Sequence, residues 1–174
     1  MKNSSRTLLF LASAAALTAQ TVAPAAVGAA PNSTAFGDRI FFAGQPAESD
    51  FAEYRKRGVK TVVNLRTAAE MEKLGFDEAA AVKKAGMQYV HIPFGAEPPA
   101  GADMDRLLSL LDGAKEGSVL MHCASSNRVG YVWSVYRARR GGLPADSAIA
   151  EGKAAGLRNP ALEQKARAAI AASR

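Results

Sequence analysis

The chain has 174 residues, 48% of them hydrophobic and 22% charged, with a formal net charge of +6 at pH 7. That length and balance suit one folded domain with a real core and exclude a disordered polyelectrolyte. The basic excess is too small for a nucleic-acid footprint, and the single cysteine excludes an intramolecular disulfide.

The N-terminus reads as an export leader. Lys2 and Arg6 form a basic segment, residues 8–17 an apolar one, and Ala23-Pro24-Ala25 a small-x-small cleavage pattern. The apolar run is too short to span a bilayer comfortably, and no later run is longer. A signal peptide over residues 1–26 is therefore expected, cut near Ala25 or Ala30, with no stable membrane insertion afterwards. The expected location is periplasmic or secreted. Loss of Lys2 and Arg6 lowers the formal charge from +6 to +4.

Residues 27–38 are small, polar and aperiodic, and read as a linker before a domain over 39–174. A first strand spans 39–43 and ends at Gly44-Gln45-Pro46. Ser49 can cap a helix to about Arg57, with Phe51 and Tyr54 on one face and Gly58 as its stop. A β-branched strand follows over 59–65. Thr67 and Glu70 have capping-box spacing. A helix from about Asp77 to Ala85 leads to a strand over 87–92, stopped by Pro93. After a loop rich in Gly and Pro, Met104, Leu107, Leu108 and Leu111 recur at helical spacing, with Asp103 as the expected N-cap. The strand 118–121 runs into the loop 123–128 and then a helix ending at Gly141-Gly142. Two terminal helices follow, the second opened by Asn159-Pro160. Alternation of strands and helices predicts an α/β fold: a mainly parallel central sheet with helices on both faces. Ligands of such sheets bind beyond the carboxyl ends of the strands, where Cys123 lies.

The loop itself suggests chemistry. Ala124, Ser125, Ser126 and Asn127 are small enough for the backbone to fold into an anion nest. Arg128 offers a planar fork of donors matched to phosphate or sulfate oxygens. Nest, helix dipole and guanidinium all favour a thiolate on Cys123. The expected partner is a phosphorylated substrate or another oxyanion. His91, His122 and Cys123 match no zinc-ligand spacing, so no metal and no cofactor are expected. Arg66 should pair locally with Glu70. Arg137, Arg139 and Arg140 suit a helix C-terminus, and Trp133 and Tyr136 suit core packing. Gln45 is a weak binding candidate at the mouth.

Gly44-Gln45-Pro46, residues 58–66 with Glu70, residues 86–93, His122–Gly130, and Glu151 with Gly156-Leu157 occur in order. Together they resemble the β-lactamase-hydrolase-like phosphatase family of the protein tyrosine and dual-specificity phosphatase superfamily, over about residues 36–160. The resemblance implies a cysteine-phosphatase fold. It implies Cys123 as nucleophile, Ala124 to Asn127 and Arg128 as phosphate cradle, and His122 as the neighbour that orients the loop. The chain departs from tyrosine phosphatases in four ways. Four residues, not five, separate Cys123 from Arg128, which is the rhodanese length. Ser126 stands where the family usually has glycine. Val129 replaces a hydroxyl residue, and no Asp opens the loop after Pro93. Glu97 is the nearest candidate for the general acid. Three functions follow: a phosphatase working through a thiophosphate on Cys123, a rhodanese-like sulfurtransferase using a persulfide, or a non-catalytic module that binds oxyanions or partners.

Overall fold

The computed structural model describes residues 20–115 and 118–172. The apolar leader segment lies outside the described residues. Six strands, β1 (Val22–Pro24), β2 (Thr34–Phe36), β3 (Ile40–Ala43), β4 (Val59–Asn64), β5 (Gln88–His91) and β6 (Ser118–His122), form one sheet in the order β1-β2-β3-β6-β4-β5. The pairs β3–β6, β6–β4 and β4–β5 are parallel, and β1 and β2 extend the β3 edge antiparallel. Helices α1 (Asp50–Lys56) and α3 (Glu78–Lys84) cover one face. Helices α4 (Ala102–Asp112), α5 (Asn127–Arg139), α6 (Ala145–Ala154) and α7 (Pro160–Ala171) cover the other. The short α2 (Ala68–Met71) contributes no buried residue.

β6 is the central parallel strand, and all five of its residues are buried. Its period of two sends Val119, Met121 and then Cys123 into the α4–α7 core and Leu120 into the α1–α3 core. In β4 an irregularity between Val59 and Thr61 shifts that period. Val59 and Val62 therefore share the α1–α3 core, while Val63 and Leu65 face the other.

Several local expectations hold. Thr67 and Glu70 form a full capping box, Asp77 caps α3, and Asn159 caps α7 with Pro160 in its first turn. Asp103 is not an N-cap. The cap position of α4 is Gly101, whose φ of 53° turns the chain into the helix, and Asp103 stands exposed in the first turn, where its charge suits the dipole.

The stretch 27–38 is folded structure rather than a linker. Thr34 to Phe36 pairs with Phe42 to Ile40, Val27 and Ala35 are buried, and Ala29 N–H donates to the buried Asp50 carboxylate (2.9 Å). Phe36 completes an aromatic cluster with Trp133 (ring centroids 4.9 Å apart), and Phe42 and Tyr136 also pack on Trp133. The Arg137 guanidinium lies 4.8 Å from the centre of the Phe36 ring. Three strand residues are too few to show a period, and their partners are supplied by β3 and α5. β1, within the segment expected as leader, pairs onto β2, so sheet structure is present ahead of Arg39.

α5 and α6 cross at two glycines. A Cβ on Gly130 would lie 2.4 Å from the Gly152 carbonyl oxygen and from the Leu157 nitrogen, distances no real contact shows. Their absence of side chains lets α6 seat close to the helix that follows the cysteine loop. Among the described residues no helix is long and apolar enough to cross a membrane.

Candidate active site

β6 delivers Cys123 to the carboxyl end of the sheet, and α5 begins four residues later. Cys123 is buried at the base of the loop, while Ala124 and Ser125 are exposed. The strand end is held from both sides: Leu65 N–H donates to the His122 carbonyl (2.9 Å), and Gln45 N–H to that of Ala124 (3.2 Å).

Ser126 is the turning point. Its φ of 67° is left-handed, a conformation that folds successive amides toward one another in an anion nest. The cost is offset locally: the fully buried Ser126 hydroxyl donates to the Ala155 carbonyl at 2.7 Å. Gly156 packs directly against it. At φ 119°, a Cβ on Gly156 would fall 2.7 Å from the Ser126 Cβ. The sequence pair Ser126 and Gly156 is thus one contact.

Arg128 is clamped. Its Nη1 and Nη2 donate to the two Glu70 carboxylate oxygens at 2.7 Å each, and Nη1 also donates to the carbonyls of Phe94 (2.9 Å) and Leu65 (3.3 Å). The Arg128 hydrogen bonds outweigh burial and hold the Glu70 carboxyl down to about 2. Burial opposes the Arg128 charge, but Glu70 and the nearby Cys123 sulfur more than offset it and raise the guanidinium's affinity for its proton. Arg66 pairs with Glu70 as expected, through the Glu70 carbonyl (3.1 Å) and at 3.8 Å to the carboxylate.

A second carboxylate lies beneath the strand end. Glu78 is fully buried and accepts from Gln45 Nε2 (2.7 Å) and Asn64 Nδ2 (2.8 Å), and its Oε1 is 3.1 Å from His122 Nε2. Burial would raise its carboxyl, but the His122 hydrogen bond and charge together with Gln45 hold it below its ordinary value. Tyr89, pushed up to about 12 by burial and then by the Glu78 charge, stays a neutral hydroxyl beside them. His122 is therefore tied to α3 as a strand-end anchor. Gln45 is a structural bridge rather than a free binding group, because its Oε1 also accepts from Arg66 Nη1 (2.6 Å).

Glu97 is not gathered into this site. Phe94 is buried against Tyr131, and the chain beyond it turns toward α7. There Lys165 Nζ donates to the Ala96 carbonyl (2.9 Å) and to the Glu97 carboxylate (2.7 Å), whose side chain is 82% exposed. The hollow lined by Glu97, Met104, Tyr131 and Lys165 includes no residue of the 123–128 loop. His91 is also spent elsewhere, its Nε2 lying 2.7 Å from the Arg66 carbonyl oxygen. No group of three or more metal-ligating side chains is found among the described residues.

Glu70, expected as a cap and as the partner of Arg66, is also the partner of Arg128, which its sequence position did not reveal. Glu78, Asn32 and Arg158 were also missed. Asn32 Nδ2 and Arg158 Nη1 both donate to the Ser125 carbonyl (3.3 Å each), and Asn127 Oδ1 accepts from Arg158 N–H (2.8 Å). The capping box was the available signal for Glu70; the others carry none.

A family model described as "Beta-lactamase hydrolase-like protein, phosphatase-like domain" matches residues 35–140. A beta-lactamase hydrolase-like protein of Xylella fastidiosa strain Temecula1 is 31% identical over 122 residues, which are 69% of this chain and 28% of that protein. The chain thus spans under a third of the length of that relative. Among solved structures, Pseudomonas aeruginosa TpbA superposes with a TM-score of 0.65 at 24% identity, covering 83% of this chain and 86% of its own. A TpbA variant in complex with pTyr gives 0.63 at 24%, covering 80% and 82%. PTPMT1 in complex with PI(5)P gives 0.64 at 14%, covering 78% and 92%. These likenesses establish the fold.

Two outcomes test the geometry. Ser126→Ala keeps the left-handed backbone but orphans the Ala155 carbonyl, and should cost about 1–2 kcal/mol. Ser126→Gly relieves the backbone cost and should lose less; an equal or larger loss in urea unfolding would contradict this account. The depressed Glu70 carboxyl adds stability that is present above its ordinary value of 4.5 and lost as pH falls through about 2. Between those values the urea midpoint should drop faster in the wild type than in Glu70→Gln, and parallel curves would remove the linkage.

Proposed function

The chain belongs to the phosphatase-like domain family of beta-lactamase hydrolase-like proteins, and from that membership and the geometry of its loop we propose that it is a cysteine-dependent phosphatase acting on phosphate monoesters. The observation that carries the reading is the arrangement at the end of β6. One thiol sits at the base of a loop whose turning residue is left-handed, ahead of a 13-residue helix and beside a guanidinium fixed by Glu70. The pTyr and PI(5)P bound by two fold neighbours each carry a phosphate monoester group.

In the proposed reaction the Cys123 thiolate attacks phosphorus in line. The S–P bond forms as the P–O bond to the leaving group breaks, and that oxygen leaves with the bonding pair and takes a proton. Water then attacks the thiophosphate, releasing inorganic phosphate and restoring the thiolate. The loop amides, the α5 N-terminus and Arg128 offset the charge on the equatorial oxygens. Glu70, held near 2 by Arg128, is ionised at neutral pH and has no proton to donate. Glu97 is occupied by Lys165. Asp103 and Asp105, the other nearby carboxyls, stand exposed on α4; the proposal therefore takes solvent as the proton source, with esters of acidic alcohols as the fast substrates.

Purified protein should hydrolyse p-nitrophenyl phosphate, Cys123→Ser should reduce the rate to background, and kcat/KM should fall steeply as the leaving alcohol becomes less acidic. A rate independent of the leaving group would require an enzymic acid. The Cys-x4-Arg spacing favours one other reading, a sulfurtransferase with a Cys123 persulfide. Thiocyanate release from thiosulfate and cyanide, without phosphoester turnover, would select it. Oxyanion binding with neither activity would select a binding module.

Export is part of the proposal and rests on the basic, apolar and small-residue order of the leader. A cut at Ala30 would remove the buried Val27 and the Ala29–Asp50 hydrogen bond, whereas a cut at Ala25 keeps both and gives up β1 and the Ala25–Ser33 backbone bond. Mass spectrometry of protein recovered from the periplasm or medium should show a chain beginning near Ala26. An intact leader, or protein confined to the cytoplasm, would overturn export.

A further inference from the structure

We propose that Arg158, with Asn32, forms a subsite for a second phosphate group on the substrate, outside the ring that would hold the first. The inference rests on the phosphatase reading and concerns which phosphate esters the site prefers.

Arg128 stands beside the loop, where its charge serves the first phosphate and is partly offset by its ionised bidentate partner Glu70. Arg158 is different. It is exposed at the turn between α6 and α7, and among the described residues no carboxylate pairs with it. Its contacts are neutral acceptors: Nη1 donates to the Ser125 carbonyl (3.3 Å) and Nη2 to Asn32 Oδ1 (2.9 Å). A guanidinium has five N–H donors, so three remain free to meet an anion.

Its position follows from the loop's own geometry. A nest turns its amides toward the bound anion and its carbonyls away. The Ser125 carbonyl, on that outer side, receives both Arg158 and Asn32. Arg158 thus stands on the outer flank of the loop and not in the ring. The position is built. The Arg158 backbone N–H is fixed by Asn127 Oδ1 (2.8 Å) at the first residue of α5, which also accepts from Asn159 N–H (3.2 Å). Asn32 is held at φ 52°, a left-handed backbone unusual for a residue other than glycine, and this places its side-chain amide against both Ser125 and Arg158. A planar fork with free donors is matched to phosphate oxygens.

The test uses Cys123→Ser protein, which binds without turnover, and calorimetry with two probes: phenyl phosphate and hydroquinone bisphosphate. The bisphosphate should bind at least tenfold more tightly. Arg158→Met should bring the ratio close to one, and Arg158→Lys should restore part of it. Salt should weaken the bisphosphate more than the monophosphate. Equal binding of the two probes, or a ratio unchanged in Arg158→Met, overturns the subsite and leaves the phosphatase reading standing. Binding of neither probe overturns both. A ratio near one in the Cys123→Ser protein alone overturns the subsite, even if the Arg158 variants fold poorly.

Discussion

The bidentate pair between Arg128 and Glu70 is the contact on which the site depends. Arg128 opens the helix after the cysteine loop, and Glu70 ends the capping box after β4, 58 residues away in sequence. Two 2.7 Å charge-assisted bonds fix the plane of the guanidinium, and the carbonyls of Leu65 and Phe94 hold its edge. One side chain thereby joins α5 to the chain ends beyond β4 and β5. Glu70 is at once the N3 residue of the capping box and the partner of the arginine, so the stability of a four-residue helix and the orientation of Arg128 share a carboxylate.

Below that clamp lies a polar layer at the carboxyl end of the sheet. Glu78 gathers Gln45, Asn64, Tyr89 and His122 from β4, β5, β6 and the turn after β3. A carboxylate fully removed from water is costly unless every lone pair is used, and here neutral donors and an imidazole surround it. The layer locks the strand ends in register just before the loop begins. Above it, Ser126 accepts a left-handed backbone because Gly156 yields it space and Ala155 supplies an acceptor. The loop is thus shaped from beneath by charge and from the side by close packing of the α6–α7 turn.

Much of this was legible in the residues. The apolar runs, the caps at Thr67, Asp77 and Asn159, and the small residues after Cys123 place the strands, the helices and the loop, because each depends on near neighbours in the chain. The left-handed turn at Ser126 was foreshadowed by the glycine that usually stands there. The stretch 27–38 was misread because three-residue strands carry no period of their own; Thr34 to Phe36 becomes a strand only when β3 supplies its hydrogen bonds. Glu97 was misplaced because nearness in sequence to the loop after Pro93 says nothing about the pull of Lys165 on α7.

The α/β alternation, the central apolar strand before Cys123, the family and the position of the one thiol could be read from the residues alone. These follow from local propensity, hydrophobic period and motif order. Which carboxylate holds Arg128, the burial of Glu78 beside His122 and the place of Arg158 on the loop's flank emerge only in the folded chain. Each is a meeting of side chains tens of residues apart, and the directional geometry of charged hydrogen bonds exists only after the sheet has brought their elements together.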